Sequence, residues 1–375
     1  MLKTIKIFCL ALAALSAGAA QAAAAPSAAD ALRIQAGGYD FSVPSARPSR
    51  LENSPLNQAR ADWQKAAAKY SDRVFRPSPQ HRVDTADSRL VLLQGFHWYA
   101  DSYWLKPSDG NGWWGVVAGK AAEIGRSGFD MVWLPPVSKG SYYPTEWYNL
   151  DSQWGTKANL QKAVAALHSS GVMAVADVVL NHRNGTANWA DFTNPDWPTT
   201  VITRDDEWPG VAGQPYNGKS ANYDEGQGET GCRDLDHTQK VVQDDAKVFM
   251  RWLRNEIGFD GWRYDMVKGY PAYYVQMYNE ASSPVFSVGE YYDTNRQMMT
   301  NWIDGTDSNP GKTDASTAFD FTTRYNLVGA VESERAEVVW GNHVALEDDL
   351  ARGFGEARPV TAWWREAVCR VRGRV

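Results

Sequence analysis

The chain has 375 residues, of which 43% are hydrophobic and 22% charged, with 38 basic and 44 acidic side chains and a formal net charge of -6. This composition excludes disorder throughout, and the mild acidity disfavours nucleic acid and anionic membranes, because both are bound by clustered positive charge. The 17 Trp and 17 Tyr residues fit stacking on sugar rings and an aromatic core equally well.

Residues 1–22 have the pattern of a secretory signal peptide. Lys3 and Lys6 precede an apolar run over 7–20, and the small residues Ala20 and Ala22 form a cleavage motif. The apolar run is shorter than the roughly 20 residues that a membrane helix needs. We therefore expect a secreted protein, extracellular or periplasmic.

The rest of the chain divides into an extension and a region of alternating patterns. Residues 23–87 are rich in Ala, Ser, Pro and Arg and show a helical pattern only at 57–70, so we expect a poorly ordered N-terminal extension. The predicted strands cover 90–98, 129–136, 172–182, 259–268, 284–292 and 317–323. The predicted helices cover 113–128, 157–171, 238–258 and 271–282. Such alternation predicts a parallel sheet, either doubly wound or closed into a barrel.

A long insertion interrupts this alternation. Residues 183–233 are rich in Asn, Asp, Gly, Pro and Trp and separate the third predicted strand from the next helix. A loop of this length in a compact fold is usually functional or forms a small domain. It follows the carboxyl end of a strand, where α/β barrels build their active sites.

Polar residues concentrate at the strand ends. Arg263 and Asp265 share one face of a strand, since side chains repeat every two residues, and Glu290 ends the next strand. Two carboxylates in one cleft suit glycosidic bond cleavage, in which one is an ionised nucleophile and the other a protonated acid. Arg263 is expected to keep Asp265 ionised, and apolar neighbours to raise the pKa of Glu290. The alternative is a buried Arg–Asp pair with an unrelated Glu.

Longer motifs carry a resemblance to a known family. They are Gln-Gly-Phe-His-Trp at 94–98, Trp-Leu-Pro-Pro at 133–136, Asp-Val-Val-Leu-Asn-His at 177–182, Gly-Trp-Arg-Tyr-Asp-Met-Val-Lys-Gly at 261–269 and Val-Gly-Glu at 288–290. In order and spacing the chain resembles the α-amylase family of glycoside hydrolases from about residue 90 to 331, most of all its plant-type and maltooligosaccharide-forming bacterial members. The resemblance implies a (β/α)8 TIM-type barrel over 88–182 and 234–332, with 183–233 as an inserted loop domain.

The resemblance also implies roles for individual residues. Asp265 corresponds to the nucleophile, Glu290 to the general acid/base, and Arg263 to the residue that orients Asp265, with Asp177 as a structural partner of Arg263. Four residues correspond to substrate-binding positions: His182, Tyr142, His97 and Lys268.

The family's inserted domain is usually held to the barrel by Ca2+, a hard cation that takes six to eight oxygen ligands. The resemblance implies the ligands Asn181, Asp206, Asp224 and the carbonyl of Gly269. For the acidic residues at 205, 206 and 224 the alternative is a solvated acidic loop.

The sequence departs from the family pattern near its end. It contains no Phe-Val-Asp-Asn-His-Asp segment, which carries the third carboxylate on the seventh strand, and residues 333–375 contain seven Arg and no Lys. We expect a non-family tail over 333–375 and a barrel that is incomplete after about the sixth strand. A genuine truncation and a reading-frame slip in the gene are the two explanations, and either leaves this chain impaired.

These observations predict a secreted, calcium-dependent, retaining endo-α-1,4-glucan hydrolase that acts on starch as a monomer. A transglycosylase or exo-acting maltooligosaccharide-forming relative would share every motif. A catalytically inactive glucan-binding protein would keep the aromatic residues alone. A dinucleotide-dependent dehydrogenase is disfavoured, because no glycine-rich turn follows an early strand.

Overall fold

The computed structural model describes residues 55–74, 90–97, 100, 111–186, 190–204, 206, 222, 226–227, 232–307, 316–332 and 359–360. The predicted signal peptide at 1–22 and the predicted calcium ligand Asp224 lie outside these residues. In the part that the structure describes, no helix is long and apolar enough to span a membrane.

Among the residues that the structure describes, seven strands form one parallel sheet in the order β1-β2-β3-β6-β7-β8-β9. They are β1 Leu92–Gln94, β2 Met131–Leu134, β3 Met173–Val178, β6 Gly261–Tyr264, β7 Phe286–Gly289, β8 Thr317–Phe319 and β9 Pro359–Val360. Neighbours in the sheet follow the order of the chain, without the reversal that defines a doubly wound sheet. This order is that of a barrel wall, so the parallel barrel-type sheet is confirmed and the doubly wound alternative is wrong.

Helices connect the strands. They are α1 Pro55–Tyr70, α2 Gly112–Arg126, α3 Lys157–Ser169, α4 Lys240–Trp252, α5 Ala272–Ser282, α6 Arg296–Gly305 and α7 Phe321–Glu332. A π-helical turn at Leu253–Ile257 extends α4. The prediction of a strand over 317–323 is wrong beyond Phe319, because the chain turns into α7 at Phe321.

The tail contributes to the sheet. β9 pairs in parallel with β8, with Ala318 opposite Pro359 and Phe319 opposite Val360. The predicted incomplete barrel is confirmed, and β9 adds a two-residue seventh strand from the segment predicted as a tail.

The N-terminal extension contains a docked helix. The backbone carbonyl of Tyr70, at the end of α1, accepts a hydrogen bond of 2.6 Å from Arg251 Nη1, and Arg251 Nη2 lies 2.7 Å from Asp72. Lys69 pairs with Glu256 at 2.6 Å. Within the extension predicted at 23–87, ion pairs and buried Ala and Tyr side chains therefore hold residues 55–74 against α4.

The insertion begins and ends in a small antiparallel pair of strands, β4 His182–Arg183 and β5 Arg233–Asp234. His182 lies opposite Asp234, and Arg183 lies opposite Arg233. All four residues are buried. The two ends of the insertion are thus fixed together directly above the carboxyl end of β3.

Candidate active site

One guanidinium group is shared by three carboxylates at the carboxyl ends of β3, β6 and β7. Arg263 Nη1 donates to Asp177 Oδ1 at 2.8 Å and to Asp265 Oδ1 at 2.5 Å, and Nη2 lies 2.8 Å from Glu290 Oε2. The register of the sheet causes this meeting, since β3 places Asp177 opposite Arg263 and β6 pairs with β7. Glu290 therefore contacts the same guanidinium as the Arg–Asp pair.

Asp265 and Glu290 differ in their access to solvent. Asp265 is 7% exposed, whereas the side chain of Glu290 is 30% exposed. The backbone N–H of Met266 donates to Glu290 Oε2 at 3.3 Å from a left-handed conformation with φ of 45°. Burial raises the pKa of Glu290, Arg263 opposes this shift and Asp265 adds to it. Glu290 is thus an accessible carboxyl group that retains its proton above the usual range for Glu.

Asp177 is enclosed by protein donors. Its Oδ2 accepts hydrogen bonds from Trp133 Nε1 at 3.0 Å and from the Tyr142 hydroxyl at 2.8 Å, while Oδ1 faces Arg263. Burial raises the pKa of Asp177 to about 7; Arg263 opposes this shift and Asp265 adds to it. With both oxygens taken by the protein, Asp177 supports the site and does not face a ligand.

The predicted substrate-binding residues lie at differing places. His182 is 3% exposed, and its ring nitrogens contact the Tyr142 carbonyl at 2.9 Å and Asn181 Nδ2 at 3.2 Å. The Arg263 guanidinium lies 6.0 Å from the ring centroid of Tyr142. A sugar hydroxyl that binds His182 must therefore replace one of these hydrogen bonds within the protein. Tyr142 lies beside the carboxylate cluster.

Two further predicted residues lie on loops. Lys268 Nζ contacts Asp293 Oδ2 at 3.0 Å and lies 5.3 Å from the ring centroid of Tyr291, which joins the loops after β6 and β7. His97, just beyond β1, is exposed and packs edge-on against Trp113, with ring centroids 6.3 Å apart. Lys268 thus contacts the loop that follows Glu290, and His97 packs against Trp113.

The family model "Alpha amylase, catalytic domain" matches residues 98–354. The chain belongs to the α-amylase family. The predicted family is confirmed, and the match extends to residue 354, into the segment predicted as a non-family tail from residue 333.

Two plant members of the α-amylase family illustrate the similarity. "Probable alpha-amylase 2" from Arabidopsis thaliana is 33% identical over 303 residues, covering 74% of this chain and 64% of that protein. "Alpha-amylase 3, chloroplastic" from the same organism is 32% identical over 317 residues, covering 77% of this chain and 32% of that protein. The chain thus spans less than two thirds of the length of either relative.

Solved structures show the same fold. Trehalose-6-phosphate hydrolase from Bacillus licheniformis superposes with a TM-score of 0.51 at 17% identity, covering 70% of this chain and 54% of that one. An Anoxybacillus α-amylase gives a TM-score of 0.50 at 17% identity, covering 71% and 59%. At these identities the likeness concerns the fold alone.

The oxygen-rich cluster of this α-amylase-family chain lies beside β4 and β5. A Cβ atom added to Gly269 would lie 1.7 Å from Asn181 Oδ1 and 2.8 Å from the Gln227 carbonyl oxygen. Asn181 Nδ2 contacts Asp234 Oδ1 at 3.3 Å, and the backbone N–H of Asp234 contacts Asp206 Oδ1 at 3.4 Å. Three predicted ligands, Asn181, Asp206 and Gly269, are therefore brought into one connected cluster.

The donor chemistry of this cluster fits a calcium ion, since amide, carboxylate and carbonyl oxygens are the ligands that Ca2+ takes. Asp206 is also paired with Arg233. Within the described residues no group of three or more His, Cys, Asp or Glu side chains is arranged around a metal position. Asp234 was not predicted as a member; it is the second residue of the short, buried strand β5 and lies opposite His182.

A caged arginine, also missed from the sequence, anchors the insertion. Arg183 is fully buried, and its guanidinium donates to the carbonyls of Thr145 and Pro195 at 2.9 Å and to that of Thr193. Three aromatic rings surround it with centroids 4.7–5.6 Å from Cζ: Trp147, Phe192 and Trp197. Burial lowers the pKa of Arg183 to about 9, so it stays charged at neutral pH.

His237 is a buried residue that bonds to the segment following β3. Its Nε2 donates to the Leu180 carbonyl at 3.0 Å, and its Nδ1 accepts from the Tyr278 hydroxyl at 2.7 Å. The ring is stacked on Tyr270, with centroids 4.3 Å apart. Burial lowers the pKa of His237 to about 4.

We expect His237 to reduce the stability of the fold in acid. The unfolded chain binds a proton at His237 below pH 6.5 and the folded chain only below about pH 4, so stability falls as the pH falls between these values. At pH 5 the loss is about 2 kcal/mol relative to pH 7. Urea unfolding of the parent and of His237→Gln at both pH values checks this. The prediction fails if both proteins lose stability equally on acidification.

Proposed function

We propose that this chain forms the catalytic centre of a retaining α-glucan hydrolase that cleaves internal bonds of starch and related α-1,4-glucans. The observation that carries the proposal is the placement of Asp265 and Glu290 on one guanidinium, with Glu290 partly open to solvent. Two carboxylates with different environments are what the double-displacement mechanism needs. The family membership supports the reaction class, and the plant relatives support starch as the substrate.

In the first step, protonated Glu290 gives its proton to the glycosidic oxygen while Asp265 attacks the anomeric carbon. The bond between that carbon and the oxygen breaks, and a sugar bound covalently to Asp265 remains. In the second step, Glu290, now ionised, takes a proton from water, and the water oxygen displaces Asp265 from the anomeric carbon. Two displacements restore the original α configuration. The raised pKa of Glu290 suits the first step, since the group must arrive protonated.

The surrounding residues serve orientation and binding in this proposal. Arg263 holds Asp265 and Glu290 in place, and Tyr142 supplies a ring for the sugar at the cleavage point. His182, His97 and Lys268 are proposed to contact substrate hydroxyls.

We propose that calcium joins the insertion at 183–233 to the barrel, held by Asn181, Asp206, Asp224 and the Gly269 carbonyl, with Asp234 as an added ligand. When bound, the ion supplies a fixed positive charge that stabilises the loop and needs no part in the chemical steps. We also propose that the protein is exported to the periplasm or the extracellular space. The charged start and the apolar run at the N-terminus support this location.

A Gly269→Ala variant is expected to lose calcium affinity by at least about tenfold. The added methyl group would overlap Asn181 Oδ1, which lies 1.7 Å from its position, and would push that amide aside. Calorimetric titration of the chelator-treated protein with Ca2+ measures the affinity, and Tm in EGTA measures the accompanying stability.

The matched control is Gly119→Ala in α2, where the built Cβ has no neighbour within 4 Å. It should bind Ca2+ like the parent and melt at the same temperature or slightly above. Unchanged calcium affinity in Gly269→Ala contradicts the proposed ligand set.

The 375-residue sequence has no Phe-Val-Asp-Asn-His-Asp segment, and we propose that this chain by itself is impaired for that reason. Contacts to sugar hydroxyls that strengthen in the transition state contribute several kcal/mol in glycosidases. Slow hydrolysis of starch is therefore expected.

An activated aryl α-maltotrioside is the appropriate substrate for a slow enzyme, since its leaving group departs without a strong acid. Release of the phenol together with an α-configured sugar, followed by NMR, supports the proposal. Early mixed oligosaccharides from starch mark endo action, and a single short product marks an exo-acting relative. Binding to insoluble starch without product from either substrate favours the glucan-binding alternative and overturns the hydrolase.

A further inference from the structure

Trp133 lies against the guanidinium that the proposed catalytic carboxylates share. Cζ of Arg263 is 4.7 Å from the ring centroid of Trp133, within the range of a cation–π interaction. The indole is 5% exposed, and it meets Phe96 edge-on at 5.2 Å and Phe319 at 5.4 Å between ring centroids. These contacts restrict the rotation of the indole.

The same indole also holds Asp177. Its Nε1–H donates to Asp177 Oδ2 at 3.0 Å, on the oxygen that also accepts from the Tyr142 hydroxyl. The other oxygen of Asp177 faces Arg263 Nη1 at 2.8 Å. One side chain therefore contacts both members of a buried ion pair, the cation through its face and the anion through its N–H.

We propose that Trp133 is a positioning residue that fixes the plane of the Arg263 guanidinium and the carboxylate facing it, and thereby the orientation of Asp265 and Glu290. The inference rests on the proposed glycosidase function. Trp133 touches Arg263 and Asp177 and acts on the two proposed catalytic residues through them.

Electrostatics give this role a measurable signature. Asp177 faces Arg263, Asp265 and Tyr142, and Glu290 faces Arg263 and Asp265. Loss of the indole N–H removes a donor that favours ionised Asp177, so this residue takes up a proton more readily. Neutral Asp177 no longer offsets the charge of Arg263. The guanidinium then stabilises ionised Glu290 more strongly, and Glu290 loses its proton at a lower pH.

Two substitutions separate the contacts. Trp133→Phe keeps a flat ring beside Arg263 and removes the N–H donor, whereas Trp133→Leu removes both. Trp114→Phe is the matched control, since Trp114 is fully buried in α2 and its Nε1 has no hydrogen-bond partner among the described residues.

The first readout is kcat/KM for an aryl α-maltotrioside with a poor leaving group, whose departure needs the proton of Glu290, measured from about pH 4 to about pH 9. In Trp133→Phe we expect the basic limb to move to lower pH by about half a unit and the optimum rate constant to fall about tenfold. Trp133→Leu should lose about a hundredfold, and Trp114→Phe should keep the parent's profile. A loss that is equal at every pH, with the basic limb unmoved, overturns the proposal.

The second readout needs no turnover. The folded-state pKa of Asp177, about 7, is above its ordinary value of 3.8, so its contribution to stability falls as the pH rises between these values. Trp133→Phe should extend this fall to higher pH in urea unfolding, and a curve parallel to the parent's overturns the proposal. If the parent itself releases no product, the proposed function fails, while this comparison still decides the role of Trp133.

Discussion

The Asp265→Asn variant is expected to release no measurable phenol from an aryl α-maltotrioside. An amide at this position cannot form the covalent link to the anomeric carbon. In the parent, Asp265 Oδ1 lies 2.5 Å from Arg263 Nη1, and the neutral amide replaces this ion pair by an uncharged contact. Glu290→Gln is expected to slow release from a poor leaving group on the order of a thousandfold, and much less from a good one. The leaving-group dependence separates the acid from the nucleophile.

The control for both variants is Asp304→Asn on the exposed side of α6, which should retain the parent's rate. Circular dichroism shows whether each variant is folded. A Glu290→Gln protein that slows equally for all leaving groups contradicts the role of Glu290 as general acid. An active Asp265→Asn protein contradicts the double-displacement mechanism.

The second large effect is expected on stability. Arg183→Met should lower the free energy of unfolding by about 3 kcal/mol, because the carbonyls of Thr145, Thr193 and Pro195 lose their donor inside the protein. Trp147 and Trp197 also lose the cation that lies against their rings. Urea unfolding at neutral pH measures the change.

Arg126→Met, at an exposed position in the last turn of α2, is the matched control and should stay within about 0.5 kcal/mol of the parent. A loss in Arg183→Met no greater than in this control contradicts the structural role of the caged arginine. Substrate affinity should fall in Arg183→Met too, since the neighbouring His182 is fixed by the same strand.

The strands and the carboxylate pair were predictable because their signals are local. Apolar runs of limited length marked β1, β2, β3, β6 and β7, and the period of two placed Arg263 and Asp265 on one face. The meeting of Glu290 with the same guanidinium depends on the register between β6 and β7. The sequence predicts only that the ends of neighbouring parallel strands converge, and the shared contact with Arg263 needs this register.

Other features depend on partners that are distant in the chain. Helix α1 is held by Arg251, whose Nη1 bonds the Tyr70 carbonyl 181 residues away, and nothing near α1 in the sequence indicates this contact. From its residue type alone, Arg183 is predicted to be exposed, because arginine is almost never fully buried without a partner. Its partners here are carbonyls and aromatic rings on the loops that surround it.

The missed helix α6 had a signal in the sequence. Met299, Trp302 and Ile303 are buried at helical spacing, and Asn295 accepts from the Gln297 N–H as an N-cap. In contrast, β9 has two residues, which pair with β8 through the backbone. Pairing of this kind is fixed by the edge of the neighbouring strand, so no pattern in the tail predicts it.

Three acidic groups around a single guanidinium have a consequence for selectivity. As the pH rises, each proton that Asp177 or Glu290 gives up leaves the pocket with surplus negative charge. A neutral glucose ring cannot balance this charge, whereas a ring that carries positive charge can. The pocket should therefore prefer cationic sugar mimics, such as ring-nitrogen analogues, over maltose of the same size, because these resemble the oxocarbenium-like transition state.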